Sequence, residues 1–197
     1  MRRYLKDYLF LFSVGFGIIL LDQLTKYLIQ LNLAYQETWS PWPWLKPYAR
    51  LVHWRNTGAV FGMFQDFGIV FAVLAPIVAV VIVYYFPQVP REDWPLRLAL
   101  GMQFAGALGN FIDRLRVGYV IDFISVGTFA VFNVADSSIS VGVALFLAYL
   151  WIKESKQKKA KAVALPLVAE EASPKKAKAV APPIVAEEAA PTESVDE

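Results

Sequence analysis

The sequence predicts an α-helical polytopic membrane protein: four transmembrane helices, a small extracytoplasmic β-hairpin and a disordered C-terminal tail. Three observations predict it. The chain is 57% hydrophobic and 18% charged over 197 residues, against about 45–50% and about 25% for soluble domains. Four apolar stretches each approach the roughly 20 residues that cross a bilayer. Composition then breaks near residue 153: residues 153–197 hold 16 charged residues and no aromatic, whereas residues 1–152 hold all 29 aromatics. Two units follow, a membrane domain over 1–152 and a cytoplasmic low-complexity tail over 153–197.

The first span runs from about Tyr8 to Ile29, behind Arg2, Arg3 and Lys6. It has the outline of a signal peptide, but no small-residue cleavage pattern follows. Asp22, Gln23 and Lys26 arrive while the pattern is still helical, so the span is read as retained. Loop 30–66 sets Trp39, Trp42, Trp44 and Trp54 among Pro41, Pro43 and Pro47, aromatics suited to the membrane–water interface. The second span, Phe67 to Phe86, is 20 residues without a charge, and Pro76 at its middle is expected to kink it. The third, about Leu96 to Leu115, and the fourth, about Val134 to Ile152, accept polar residues near one end. Between them, loop 116–133 carries VGYVIDFISVGTFAVF (117–132), rich in β-branched and aromatic residues around Gly127, a hairpin signal. A two-residue turn at Gly127–Thr128 pairs 126 with 129 and 122 with 133.

The tail is a tandem repeat. KKAKAVALPLVAEEASP (158–174) is followed by KKAKAVAPPIVAEEAAP (175–191), identical at 14 of 17 positions. Two copies containing Pro166, Pro182 and Pro183 build no solenoid core, and blocks of charge with proline argue for disorder.

Charge settles orientation and excludes some partners. The net charge of +2 resides in residues 1–152, with 11 basic and 9 acidic residues, while the tail balances at 8 and 8. No compact basic surface for nucleic acid is read from this. Before the distal tail, ten basic residues fall on segments that share a side with the N-terminus, against five on the other side. The positive-inside rule therefore places both termini in the cytoplasm. There is no cysteine and one histidine, His53, which excludes a zinc site of His and Cys ligands. No metal or cofactor is expected.

In this topology the polar residues converge. Asp22 lies roughly 21 Å along the first helix from its cytoplasmic start. Asn110, Asp113 and Arg114 close the third span at its outer end, and Asn133 and Asp136 open the fourth. All fall near the outer leaflet, while the cytoplasmic halves of the spans read as nearly all apolar. Ionisable groups at membrane depth are candidates for function. Asp122 and Asp136 form the best candidate for paired carboxylates: the hairpin register sets Asp122 opposite Asn133, one turn before Asp136. Two close carboxylates share a proton near neutrality and supply one general base and one general acid. The alternative roles are a helix cap for Asp136 and a solvated edge charge for Asp122. A Ser-His-Asp triad must use His53, and a Ser-Lys pair could use Ser137 or Ser138 with Lys26; helix-start serines explain the latter more simply. Asp22 and Lys26 stand four apart and suit an ion pair on one helix face. Asp113 beside Arg114 and Arg116 suits an interfacial ion pair. Arg114 suits a phosphate or a carbonyl. Asn56-Thr57-Gly58 reads as a tight turn, or Asn56 as a holder of substrate backbone.

The motifs DQLTK (22–26), NTGAVFGMF (56–64), GALGNFIDR (106–114), VIDFI (120–124) and FNVADSSI (132–139), in this order, make the chain resemble the bacterial lipoprotein signal peptidases, also called signal peptidase II or prolipoprotein signal peptidase. The resemblance covers the chain to about residue 152 and leaves out the repeats. It implies a membrane aspartic endopeptidase that removes the signal peptide from diacylglyceryl-modified prolipoproteins, cutting before the lipidated cysteine. Asp122 and Asp136 fall on the catalytic aspartates. Asn56, Gly58, Asn110, Arg114 and Asn133 fall on positions that hold substrate or the dyad, and Asp22, Lys26, Asp113 and Ala135 on supporting ones. The implied fold has four transmembrane helices, an extracytoplasmic β-cradle and a short interfacial helix. The resemblance further implies a monomer in the bacterial cytoplasmic (inner) membrane, in contact with lipid, and a target of globomycin. From the residues alone, Asp136 near a helix N-terminus is expected to be the ionised partner and Asp122 the protonated one. Two rival readings remain: a proton-coupled transporter using Asp22, Asp113 and Asp136, and a non-catalytic scaffold with the tail as docking arm.

Overall fold

The computed structural model describes residues 4–58 and 68–171, with side chains through residue 158. Arg2 and Arg3, the end of loop 30–66 with residues 59–64 of the second motif, and the second repeat (175–191) lie outside the described residues.

Four helices dominate: α1 (Leu5–Asn32), α2 (Gly68–Tyr85), α3 (Trp94–Val117) and α4 (Val134–Glu171). A short 3₁₀ turn, Phe86–Gln88, follows α2. Three strands, β1 (Thr38–Trp39), β2 (Ala49–Asn56) and β3 (Val120–Val126), form one antiparallel sheet in the order β1-β2-β3.

By length and composition α1, α2 and α4 can cross a membrane. Their outer faces carry exposed Leu9, Phe16, Leu20, Val73, Ile77, Val80 and Leu147. α3 has the length but not the hydropathy, because it carries the polar groups. It packs against both α1 and α2, and Arg97, Asn110 and Asp113 are buried. Small residues permit the close approach. A Cβ on Gly15 of α1 would stand 2.9 Å from the Phe104 ring, one on Gly101 3.0 Å from Val14, and one on Gly142 2.9 Å from the carbonyl of Ala99. Leu11, Ala79, Ile82, Phe86 and Phe104 fill one end of the bundle; Ile29, Leu33 and Phe123 join α1 to the sheet at the other. α2 runs through Pro76 without ending. α3 ends at Gly118, whose left-handed backbone (φ 82°) lets its N–H reach the carbonyl of Arg114, a glycine stop.

Three expectations change. The turn at Gly127 forms, with φ 52° and Phe129 N–H donating to Val126 O (2.9 Å). The expected hairpin does not zip, however. Ile124 bridges Phe132, one residue out of the expected register. The regular partner of β3 is β2, with Arg50 opposite Ser125, Trp54 opposite Asp122 and Asn56 opposite Val120. An eight-residue strand offers a longer ladder than the few residues left before α4. The fourth helix also continues past Ile152 to Glu171, through Pro166. Finally, the end of the bundle that holds the N-terminus, expected to be nearly all apolar, is not. Asp7 is buried and accepts from Arg97 Nη2 (2.8 Å) and from Arg91 Nε and Nη2 (2.9 Å each). Its place in a charged N-terminal run hid a buried role.

Candidate active site

The sheet, the C-terminal half of α1, the end of α3 and the start of α4 bring the predicted residues together. β3 presents Asp122, which is 1% exposed. Asn133 Nδ2 donates to its Oδ1 (2.7 Å) and Asn56 Nδ2 to its Oδ2 (2.9 Å). On the first turn of α4, Asp136 Oδ1 accepts from Asn110 Nδ2 (2.7 Å).

Asn133 links the two carboxylates and starts the helix. Its Oδ1 accepts from Asp136 N–H (2.9 Å), and Asp136 Oδ2 accepts from Asn133 N–H (3.2 Å). This is a reciprocal capping box, so the cap is Asn133, not Asp136 as the helix-cap alternative had it. The Asn133 Nδ2 group also donates to Asn110 Oδ1 (3.1 Å). Each Asp carboxylate therefore receives donors from neutral amides. Burial, then the negative charge of Asp136, pushes the Asp122 carboxyl up to about 7; the Asn56 and Asn133 donors and the charge of Lys26 pull the other way. A carboxyl that titrates near neutrality beside a second carboxylate is equipped to exchange protons.

Behind this layer lies a buried charge cluster. Lys26 Nζ stands 2.8 Å from Asp22 Oδ2 and from Asp113 Oδ2, and donates to Asn110 Oδ1 (3.1 Å). The i, i+4 pair of Asp22 and Lys26 forms as expected. Asp113 does not: its partner is Lys26 across the bundle, not Arg114 or Arg116. Asp113 Oδ2 also accepts from Ile121 N–H (3.1 Å), which ties α3 to β3, and Asp22 Oδ1 accepts from Ala135 N–H (2.9 Å), which ties α1 to α4. Two carboxylates against one ammonium are tolerable because backbone donors supply the remaining bonds.

Gln23 was missed. Its Nε2 reaches Asp22 Oδ2 (3.1 Å), Asp113 Oδ1 (2.9 Å) and Gly109 O (3.2 Å), and its Oε1 accepts from Arg116 Nη1 (3.2 Å). A polar amide between Asp22 and Lys26 in an apolar span was the available signal. Asn56 and Gly58 form the tight turn, with Gly58 N–H donating to Asn56 Oδ1 (3.0 Å). Arg114 donates to the carbonyls of Gly58 and Asn110 (3.4 Å each).

The other nucleophile arrangements do not assemble. His53 Nδ1 lies 3.0 Å from Leu33 O, Ser137 donates to Asn133 O, and Ser138 donates to Met102 O; Lys26 is held by carboxylates and Asn110. Among the described residues no group of His, Cys, Asp and Glu is placed to hold a metal ion.

Known proteins share this arrangement of chain. The family model described as signal peptidase (SPase) II matches residues 14–152. The lipoprotein signal peptidase of Shouchella clausii is 39% identical over 150 residues, 76% of this chain and 97% of that relative. That of Caldanaerobacter subterraneus is 43% identical over 136 residues, 68% of this chain and 90% of the relative. A solved bacterial membrane enzyme, determined in meso, superposes with a TM-score of 0.68 at 31% identity, covering 74% of this chain and 90% of its own; a second does so at 0.63, also at 31% identity, covering 71% and 91%. The chain therefore belongs to the signal peptidase II family and is a membrane-embedded, aspartic-type peptidase.

Proposed function

We propose that the chain removes the signal peptide from diacylglyceryl-modified prolipoproteins, cutting before the lipidated cysteine, with Asp122 and Asp136 as the dyad that activates water. The observation that carries the reading is the bond set around Asn133, whose side-chain amide donates to Asp122 and whose backbone N–H donates to Asp136, beside an Asp122 carboxyl that burial pushes up to about 7. Asp136, which accepts two N–H donors, takes the proton of the attacking water. Asp122 holds its proton until the scissile carbonyl needs it. The tetrahedral intermediate then expels the cysteine amine, which leaves with a proton returned from the dyad. Asn56, Gly58, Asn110, Arg114 and Asn133 hold the peptide backbone and the dyad; Asp22, Lys26, Asp113 and Ala135 fix the helices that carry them.

A lipid-anchored substrate confines its cleavage site to the membrane surface. The proposed topology places the dyad there, near the outer leaflet of the bacterial inner membrane, with both termini cytoplasmic and the acyl chains of the substrate among the exposed apolar helix faces. The test is cleavage of a diacylglyceryl-modified prolipoprotein by the purified protein in detergent. Asp122→Asn and Asp136→Asn should each slow cleavage about 10²- to 10⁴-fold with folding intact. Unimpaired cleavage in either variant breaks the dyad assignment.

A further inference from the structure

We propose that a cavity beside the sheet binds the phosphodiester headgroup of an anionic membrane lipid. The cavity holds about 440 Å³ and is lined by Gln36, Thr38, Lys46, Arg50, Trp54 and Ser125, among others. Two of these are cations, and among the described residues no carboxylate lines it. The acidic neighbour in sequence, Glu37, is engaged elsewhere: its Oε2 accepts from Ala34 N–H (2.7 Å). Lys46 and Arg50 therefore line it with no carboxylate among its described lining residues, Arg50 Nη1 donating to Lys46 O (3.4 Å); Thr38, Gln36 and Ser125 add neutral donors, and Val52 and Val131 complete the wall. That combination recognises a phosphate oxygen pair.

The occupant follows from what surrounds the cavity. Trp39, Trp42, Trp44 and Tyr48 are all exposed on β1 and the turns that lead to β2, and Trp42 stacks on Trp44 with ring centroids 5.9 Å apart. Tryptophan and tyrosine gather at headgroup level, where lipid phosphates lie. Lys46 sits within the same aromatic run, which sets the cavity at the height of those phosphates. The site is also coupled to the sheet that carries the dyad: Arg50 pairs with Ser125 and Trp54 with Asp122 in one ladder. A bound headgroup would seat that ladder on the leaflet.

The test is isothermal titration of the full chain, in neutral detergent, with dihexanoyl phosphatidylglycerol. Saturable binding is expected, weakened about fivefold by Lys46→Gln and about as much again when Arg50→Gln is added. Lys156→Gln, a cation on the C-terminal part of α4, should leave it unchanged. Lys46 is exposed, so its variant keeps the fold. Equal binding of dihexanoyl phosphatidylcholine, or wild-type affinity in the double variant, overturns the proposal. Displacement of the lipid by an equal concentration of inorganic phosphate assigns the site to free phosphate and overturns the lipid source. Cleavage is not the readout, so a failure of the dyad leaves this result standing.

Discussion

Removing the ammonium of Lys26 should move the pH profile of cleavage upward. Lys26 Nζ lies 3.1 Å from Asn110 Oδ1; that oxygen lies 3.1 Å from Asn133 Nδ2, which lies 2.7 Å from Asp122 Oδ1. The ammonium is thus within about 9 Å of the Asp122 carboxyl. At an effective dielectric of about 20, a unit charge at that distance is worth about 2 kcal/mol, a little over one pH unit. A cation favours the ionised form, so its loss raises Asp122 above its value of about 7. The proton that the mechanism needs is then kept to higher pH. In Lys26→Met the alkaline limb of the profile should shift up by roughly one unit. Asp113→Asn removes a negative charge from the same cluster and leaves Lys26 balanced by Asp22 alone; its alkaline limb should shift down by a similar amount. The assay is the initial cleavage rate from about pH 5 to about pH 9, corrected for the folded fraction by melting in detergent. That correction matters, because Lys26→Met strands two buried carboxylates at a cost of about 3–5 kcal/mol. Shifts of the same sign in both variants, or no shift in either, would refute the reasoning.

Gly109→Ala should both destabilise the protein, by about 1–3 kcal/mol, and slow cleavage. The new methyl would stand 2.8 Å from Asp22 Oδ2 and 3.2 Å from Ala135 Cβ, displacing the carboxylate that joins α1 to α4; a melt and a rate measurement check it together. Asp7→Asn leaves Arg97 buried without a counter-charge and should cost about 3 kcal/mol in a melt. Its cleavage pH profile should match the wild type, because Asp7 lies roughly 20 Å along α1 from Asp22.

The four helices were legible because apolar run length is a local property: starts and ends fall within a few residues of those read from the sequence, except at the end of α4, which runs on to Glu171. The meeting of Asp22, Asn110, Asp113, Asn133 and Asp136 at one end was legible from topology, since depth along a span follows from residue count. What was not legible is lateral pairing. Two candidate partners existed for β3, and residue type did not choose between a short return strand and β2. Asp113 has two arginines near it in sequence, yet α1 presents Lys26 to it across the bundle. Asp7 and Arg97 are 90 residues apart, and nothing in the sequence singled out either as buried. In every case the deciding contact is long-range, and a side chain does not announce which neighbouring helix it faces.

The double use of Asn133 limits where this chain can change length. Asp136 sits three residues after its cap, on the turn that the cap itself defines. One residue inserted between them would rotate Asp136 by about 100° around the helix axis and carry it off the face that meets Asn110. One residue inserted at the Gly127 turn would leave that spacing untouched and be absorbed where the strand return is already held by a single bridge. Insertions and deletions in this stretch should therefore be confined to the six residues before Asn133, and the helix start should be as fixed in register as the carboxylates themselves.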